Sequence, residues 1–127
     1  REGESGFRAR EADLLAATLI RPRQILATGG GVILRDDNRQ RLRDSACVVY
    51  LHAEPATLWQ RLQADPDPGQ RPALTPLPGP DEVAAIFAHR DPLYRATADL
   101  IVDSADRTPA ELSLELCERL APWICTT

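Results

Sequence analysis

The sequence has 127 residues, enough for one small domain with a modest core, and its 43% hydrophobic and 27% charged content excludes a chain disordered throughout. A formal net charge of −4 argues against a nucleic-acid-binding protein, and three cysteines with two histidines suit neither a disulfide framework nor a zinc site. No signal-peptide pattern opens the chain and no apolar run approaches the roughly 20 residues that cross a bilayer, so we expect a cytoplasmic protein with no membrane partner.

Helical and extended patterns alternate along the first half of the chain. An apolar stripe at helical spacing over residues 12–19 predicts a first helix. The apolar run at residues 25–28 predicts a short strand that ends at the glycine triplet 29–31. A short helix capped by an aspartate is expected over residues 36–43, and residues 47–51 predict a second buried strand.

A long loop interrupts the second half. Pro55 suits the first turn of a third helix, which reaches Leu62. Residues 65–80 contain six of the eleven prolines and two glycines, a pattern typical of a functional or disordered loop, and we predict that this stretch is the most mobile of the chain. Helical spacing returns at residues 83–87, and Pro92 is expected to restart or kink that helix.

The last third predicts one more strand and one more helix. Residues 100–103 form a third apolar run, and Thr108 with Glu111 forms a capping box that places Pro109 at the first helical position. Short apolar strands separated by helices predict a single α/β domain over residues 1–127, with a parallel sheet covered on both faces. Ligands bind such sheets beyond the carboxyl ends of the strands, where the glycine triplet lies.

Several residues have both a structural and a functional interpretation. The glycine triplet can be a turn that needs positive φ, or it can bring backbone amides close to a ligand. Arg8 and Glu11 can be a surface ion pair, or Glu11 can orient Arg8 toward a carboxylate. Arg71, in the proline-rich loop, can be a solvated residue or can close over a phosphate. Arg95 lies one helical turn after Asp91, and this spacing alone predicts a surface arginine.

Taken in order, six strings resemble the shikimate kinase family: GESGFRAREADLL, ILATGGGVILR, VVYL, QRPAL, RDPLYRATADLIVD and DRTPAEL. Each string alone is weak evidence, but FRxxE, ATGGG and RxPLY in this order and spacing are specific. The resemblance implies a three-layer αβα fold of the P-loop NTPase type, with ATP and Mg²⁺ as cofactors. It also implies transfer of the ATP γ-phosphoryl group to the 3-hydroxyl of shikimate, on the route to chorismate and the aromatic amino acids.

The resemblance implies a role for individual residues at the substrate. Arg8 and Arg95 would bind the shikimate carboxylate, and Glu11 would orient Arg8. The backbone of Gly29, Gly30 and Gly31 would contact shikimate.

Other residues match the nucleotide side of the family's site. Arg71 would be the catalytic lid arginine that reaches the phosphates of ATP. Arg61, Arg107 and Pro109 would hold the adenine.

One family motif has no counterpart in this sequence. All 15 basic residues are arginine, so no GxxxxGK[ST] phosphate loop is present, and the resemblance implies that the family's first strand and its metal ligands lie outside this sequence. Because nothing in this sequence can replace the amides and lysine of the phosphate loop, we expect the chain alone to be inactive. Because the absent strand is central in the family's sheet, we expect an ordered form to need the absent segment or another copy of the chain as partner. A non-catalytic shikimate-kinase-like binding protein is the alternative. Another small-molecule kinase of the P-loop type, such as a gluconate kinase, is a more distant alternative.

Overall fold

The computed structural model describes residues 3–64 and 79–124 of the chain. In chain order the described elements are α1 (Gly3–Leu19), a 3₁₀ helix (Gly30–Leu34), α2 (Asp36–Ser45), β1 (Val49–His52), α3 (Pro55–Gln63), α4 (Gly79–Thr97), β2 (Leu100–Asp103) and α5 (Pro109–Ile124). Within these described ranges, no helix has both the length and the apolar character that a membrane span requires. The helices predicted near residues 12–19, 36–43 and 55–62 are present as α1, α2 and α3, each longer than predicted.

The chain divides into two compact units. Unit one comprises residues 1–50 and 90–100, and unit two comprises residues 51–89 and 101–127. The interpretation of residues 1–127 as one domain stays a prediction. Residues 65–78, which hold Arg71 and most of the predicted loop, lie outside the described residues. Residues 79–80, which we assigned to that loop, form the first turn of α4.

The core of unit one joins α1, the 3₁₀ helix and α2. Leu15, Val32 and Leu42 are buried together, and Leu19 and Val48 pack against them. Burial of such a side chain contributes about 1.5–3 kcal/mol, so this cluster is the main apolar contact that fixes α1 beside the 3₁₀ helix. Since the glycine triplet leads into the 3₁₀ helix, the same packing sets its position relative to α1.

Two polar side chains of α2 complete that junction. The Nδ2 of Asn38, a residue that is 1% exposed, donates to the carbonyl of Val32 at 2.9 Å. Arg39 Nη1 donates to the carbonyl of Ile33 at 2.7 Å. These bonds satisfy carbonyls of the 3₁₀ helix, whose own ladder is short, and hold the segment that follows the triplet.

The described strands form a two-stranded parallel sheet. The backbone N–H of Leu100 donates to the carbonyl of Val48, and that of Ser104 donates to the carbonyl of His52. Both partners advance four residues in the same direction, which is the parallel arrangement. Residues 100–103 are a strand as predicted, whereas β1 is shifted relative to the predicted 47–51.

The described sheet has two strands, and some of its apolar side chains are partly exposed. Leu51 is 50% exposed and Ile101 is 38% exposed, whereas Val102, the residue after Ile101 in β2, is buried. The strand predicted at residues 25–28 is absent, because no described strand lies beside those residues to accept and donate backbone hydrogen bonds. Ile25 is accordingly fully exposed.

The starts of α3 and α5 follow the local signals, whereas α2 begins at Asp36 itself, behind Arg35, without the expected aspartate cap. α3 begins at Pro55, and α5 begins at Pro109 behind the predicted capping box. In that box the N–H of Thr108 donates to Glu111 Oε1 at 2.8 Å, and the N–H of Glu111 donates to Thr108 Oγ1 at 3.1 Å. α4 continues through Pro92 and does not restart there, so the loss of one backbone N–H is tolerated within the longer helix.

Candidate functional site

The backbone of the glycine triplet has no feature that only glycine can adopt. Gly29 is extended, with φ −67° and ψ 152°. Among the glycines that the structure describes, only Gly3 has a positive φ. The interpretation of the triplet as a turn that needs positive φ is therefore wrong, and the requirement for glycine has another cause.

That cause is the close approach of side chains from α1 and α4. A Cβ on Gly31 would collide with the guanidinium of Arg8. A Cβ on Gly30 would lie 2.7 Å from Tyr94 Oη and 3.3 Å from Arg90 Nη1. Two guanidinium groups thus reach adjacent glycines, which is the arrangement that can hold one anion against exposed backbone.

Glu11 orients the first of these arginines. Arg8 Nη1 donates to Glu11 Oε1 at 2.9 Å, and Arg8 Nη2 lies 3.7 Å from Glu4 Oε2. The Arg8 and Glu11 side chains are only 17% and 16% exposed, unlike a solvated surface pair. Glu11 Oε2 in turn is 3.4 Å from where a Cβ on Gly29 would lie. The structure therefore brings together Arg8, Glu11 and the triplet, as the resemblance implies.

Arg95 lies elsewhere. Its Nε donates to Asp91 Oδ2 at 2.9 Å, one helical turn earlier, and its side chain is 48% exposed. Arg90 is five residues before Arg95, which places the two side chains about 140° apart around α4. In the described part of the chain no carboxylate pairs with Arg90, so it brings an unbalanced positive charge to the triplet. Arg90 is the arginine of the RxPLY string, and this was the sequence signal that could have revealed it.

A pair of tyrosines supports the same region. Tyr94 Oη donates to the carbonyl of Gly30 at 2.8 Å. The ring centroid of Tyr50 is 4.7 Å from that of Tyr94, and Tyr50 Oη donates to Asp91 Oδ1 at 2.6 Å. Burial raises the pKa of the Tyr50 phenol, and the hydrogen bond to the Asp91 carboxylate raises it further, so this phenol stays protonated as a donor.

Unit two holds the residues implied for the nucleotide. Arg61 donates through Nη1 to Ser104 Oγ at 3.1 Å and through Nη2 to the Ser104 carbonyl at 2.7 Å. Ser104 is 2% exposed, and its hydroxyl donates to the carbonyl of His52 at 3.0 Å. The guanidinium of Arg61 is thus fixed at the start of the turn that leads from β2 to Pro109, the first residue of α5.

Arg107 lies in that turn. It forms an ion pair with Glu115, and its Nη1 donates to the carbonyl of Asp103 at 3.3 Å. The hydrogen bond from Arg107 lowers the pKa of the Glu115 carboxyl. The structure therefore brings Arg61 to the segment of Arg107 and Pro109, whereas Arg71 lies outside the described residues.

The described residues contain no cluster of candidate metal ligands. Within residues 3–64 and 79–124, no group of three or more His, Cys, Asp or Glu side chains could hold a metal ion.

Comparisons with known proteins match this chain to one family. A family model described as shikimate kinase matches residues 1–121. A shikimate kinase of Neisseria gonorrhoeae is 44% identical over 105 residues, which are 83% of this chain and 76% of that protein. Shikimate kinase 2 of an Enterobacter species is 46% identical over 112 residues, which are 88% of this chain and 63% of that protein. The chain spans less than two thirds of the length of several curated relatives, for example 60% of a shikimate kinase of Neisseria meningitidis.

Solved structures show the same fold. The shikimate kinase from Acinetobacter baumannii in complex with shikimate has a TM-score of 0.79 and 31% identity, and the match covers 99% of this chain and 66% of that one. The enzyme from Bacteroides thetaiotaomicron has a TM-score of 0.77 and 26% identity, covering 94% and 70%. The α/β class expected from the sequence is confirmed, and the chain belongs to the shikimate kinase family.

Proposed function

We propose that the protein containing this chain is a shikimate kinase, which transfers the γ-phosphoryl group of ATP to the 3-hydroxyl of shikimate in the cytoplasm, on the route to chorismate. The observation that carries the proposal is the convergence of Arg8 and Arg90 on the glycine triplet. The related enzyme from Acinetobacter baumannii was solved with shikimate bound, which supports shikimate as the ligand of this region.

The two arginines suit the carboxylate of shikimate. A guanidinium presents parallel N–H donors that match a carboxylate, and two such groups fix both the position and the orientation of one anion. Glu11 partly balances Arg8, whereas Arg90 has no carboxylate partner among the described residues. A bound carboxylate would neutralise that remaining charge. In this proposal Arg90 takes the clamping role that the resemblance assigned to Arg95.

The glycine triplet supplies the surface on which the ring of shikimate rests. Without Cβ atoms at Gly30 and Gly31, Arg8 and Arg90 approach the backbone directly, and hydroxyl groups of a ligand can reach its amides. Holding the substrate in one pose is the main contribution that such a site makes to phosphoryl transfer.

The nucleotide is assigned to unit two. Arg61, whose guanidinium is fixed by Ser104, can stack on the adenine, and Pro109 with the Arg107 turn would supply further contact. Arg71 is proposed as the lid arginine that stabilises transferred charge. ATP supplies the phosphoryl group, and the Mg²⁺ ligands are expected in the family's phosphate-loop segment.

The test uses the full-length protein with three alanine variants. Arg8→Ala and Arg90→Ala should each weaken shikimate binding about tenfold to a hundredfold, the scale of a lost charged hydrogen bond, with the KM for ATP unchanged. Arg95→Ala is the matched control from the same helix and should bind shikimate nearly as the wild type does.

Three outcomes contradict parts of the proposal. Normal shikimate affinity in Arg90→Ala, or a larger loss of shikimate affinity in Arg95→Ala than in Arg90→Ala, would show that Arg95 rather than Arg90 binds the carboxylate. A full-length protein that binds shikimate without phosphorylating it would favour the non-catalytic binding protein. Failure to bind shikimate at all would overturn the assignment.

A further inference from the structure

The carbonyl of Gly30, the first residue of the 3₁₀ helix, accepts a hydrogen bond from a side chain. Tyr94 Oη donates to it at 2.8 Å, from the last two turns of α4. Glycine has the widest conformational freedom of any residue, and the 3₁₀ helix that begins at Gly30 is a short element with weaker hydrogen-bond geometry than an α-helix. An external hydrogen bond to the middle residue restricts this freedom.

Fixing that carbonyl also fixes a donor. The carbonyl of Gly30 and the N–H of Gly31 belong to one planar peptide group and point in opposite directions. Tyr94 therefore sets the direction of the Gly31 N–H. Since accepting a hydrogen bond polarises the peptide group, the same contact strengthens that N–H as a donor.

Tyr94 is itself supported by Tyr50. The two rings are 4.7 Å apart at an interplanar angle of 37°, a packing that aromatic pairs favour. The Tyr50 hydroxyl is anchored on Asp91 Oδ1 at 2.6 Å, and Arg95 Nε binds the other oxygen of that carboxylate at 2.9 Å. Both oxygens of Asp91 are therefore engaged, although Asp91 directly follows Arg90 in sequence.

We propose that Tyr94 is a positioning residue that fixes the Gly30–Gly31 peptide group for the anionic substrate, and that Tyr50, anchored on Asp91, holds Tyr94 in place. This inference rests on the proposed function, because the substrate in question is shikimate.

The experiment uses the full-length enzyme. Tyr94→Phe removes one hydroxyl and keeps the ring, and it should raise the KM for shikimate about two- to tenfold, the worth of a neutral hydrogen bond, with kcat and the KM for ATP unchanged. Tyr50→Phe should act in the same direction with a smaller rise. With glycine labelled with ¹⁵N, the Gly31 amide resonance should shift in Tyr94→Phe, a change that loss of stability alone does not produce.

Thr97→Val is the matched control. It removes the Thr97 hydroxyl, which donates to the Leu93 carbonyl at 2.8 Å within the same helix, and it should leave the shikimate KM and the Gly31 resonance unchanged. An unshifted Gly31 resonance in Tyr94→Phe, or equal KM changes in Tyr94→Phe and Thr97→Val, would overturn the inference. A wild-type enzyme that does not phosphorylate shikimate, with the Gly31 resonance still shifted in Tyr94→Phe, would instead overturn the proposed function and leave the positioning of the peptide group supported.

Discussion

Gly31 is buried against the end of the Arg8 side chain, and a methyl group there must displace the guanidinium. Because the guanidinium is the flexible end of a long side chain, we expect Gly31→Ala to cost little stability but to lower shikimate affinity about tenfold, the scale of one charged contact. Gly29→Ala is the control, since its Cβ would meet only Glu11 Oε2, at 3.4 Å. Titration calorimetry and thermal unfolding of both variants would check this. Equal affinity losses in the two variants would contradict it.

The Tyr50 phenol provides a prediction at alkaline pH. Its pKa is raised above the ordinary value of 10, so the folded state favours the protonated form. This contribution to stability is complete below pH 10 and is lost as the pH rises through the folded-state pKa. Urea unfolding at a series of alkaline pH values should therefore show a steeper loss of stability in the wild type than in Tyr50→Phe. Parallel curves would show that the Tyr50–Asp91 bond does not persist in solution.

Among the elements, α5 has the clearest start signal. Thr108 caps it through the hydroxyl bond to the N–H of Glu111. Replacement of Thr108 by alanine should lower the free energy of unfolding by about 1 kcal/mol, the usual cost of a lost N-cap. Thr108→Ser keeps the hydroxyl and should restore most of the loss. A Thr108→Ser variant as unstable as Thr108→Ala would argue against the cap.

The same box responds to acid. The backbone and side-chain hydrogen bonds of Thr108 lower the pKa of the Glu111 carboxyl from its ordinary value of 4.5. The resulting stabilisation is present above pH 4.5 and is lost as the pH falls through the folded-state pKa. Between these values the wild type should lose more stability than Glu111→Gln, whose amide does not titrate. Circular dichroism during acid titration of both proteins would show the difference.

The elements that the sequence predicted correctly are those with local causes. Proline at a first helical turn, a capping box and an apolar stripe act within a few residues, so α1, α3 and the start of α5 were predictable. A strand depends on its neighbour, which explains why residues 25–28 carry strand-like composition without pairing. The site shows the same division. The pairing of Arg8 with Glu11 follows from their spacing on one helix, whereas the contact of Arg90 with the triplet depends on how α4 packs in the folded chain.

For the whole molecule, exposed apolar side chains predict association of the isolated chain. Ile20 is 83% exposed, Ile25 is fully exposed and Leu51 is 50% exposed. Full burial of a side chain of this size stabilises by about 1.5–3 kcal/mol, and these residues forgo all or part of it. We expect residues 1–127 expressed alone to self-associate in sedimentation experiments and to show no ATP-dependent phosphorylation of shikimate. A monomer that unfolds cooperatively and phosphorylates shikimate would contradict both expectations.

The contact between Tyr50 and Tyr94 has a practical consequence, because these are the chain's two tyrosines. Biosynthetic incorporation of fluorotyrosine would give one fluorine resonance from each ring. Tyr94 bonds the middle glycine of the triplet and Tyr50 stacks on Tyr94, so both resonances would report on the same few ångströms of the protein. The spectrum of the labelled chain is thus a probe of ligand binding at the triplet that needs no assignment of the remaining residues.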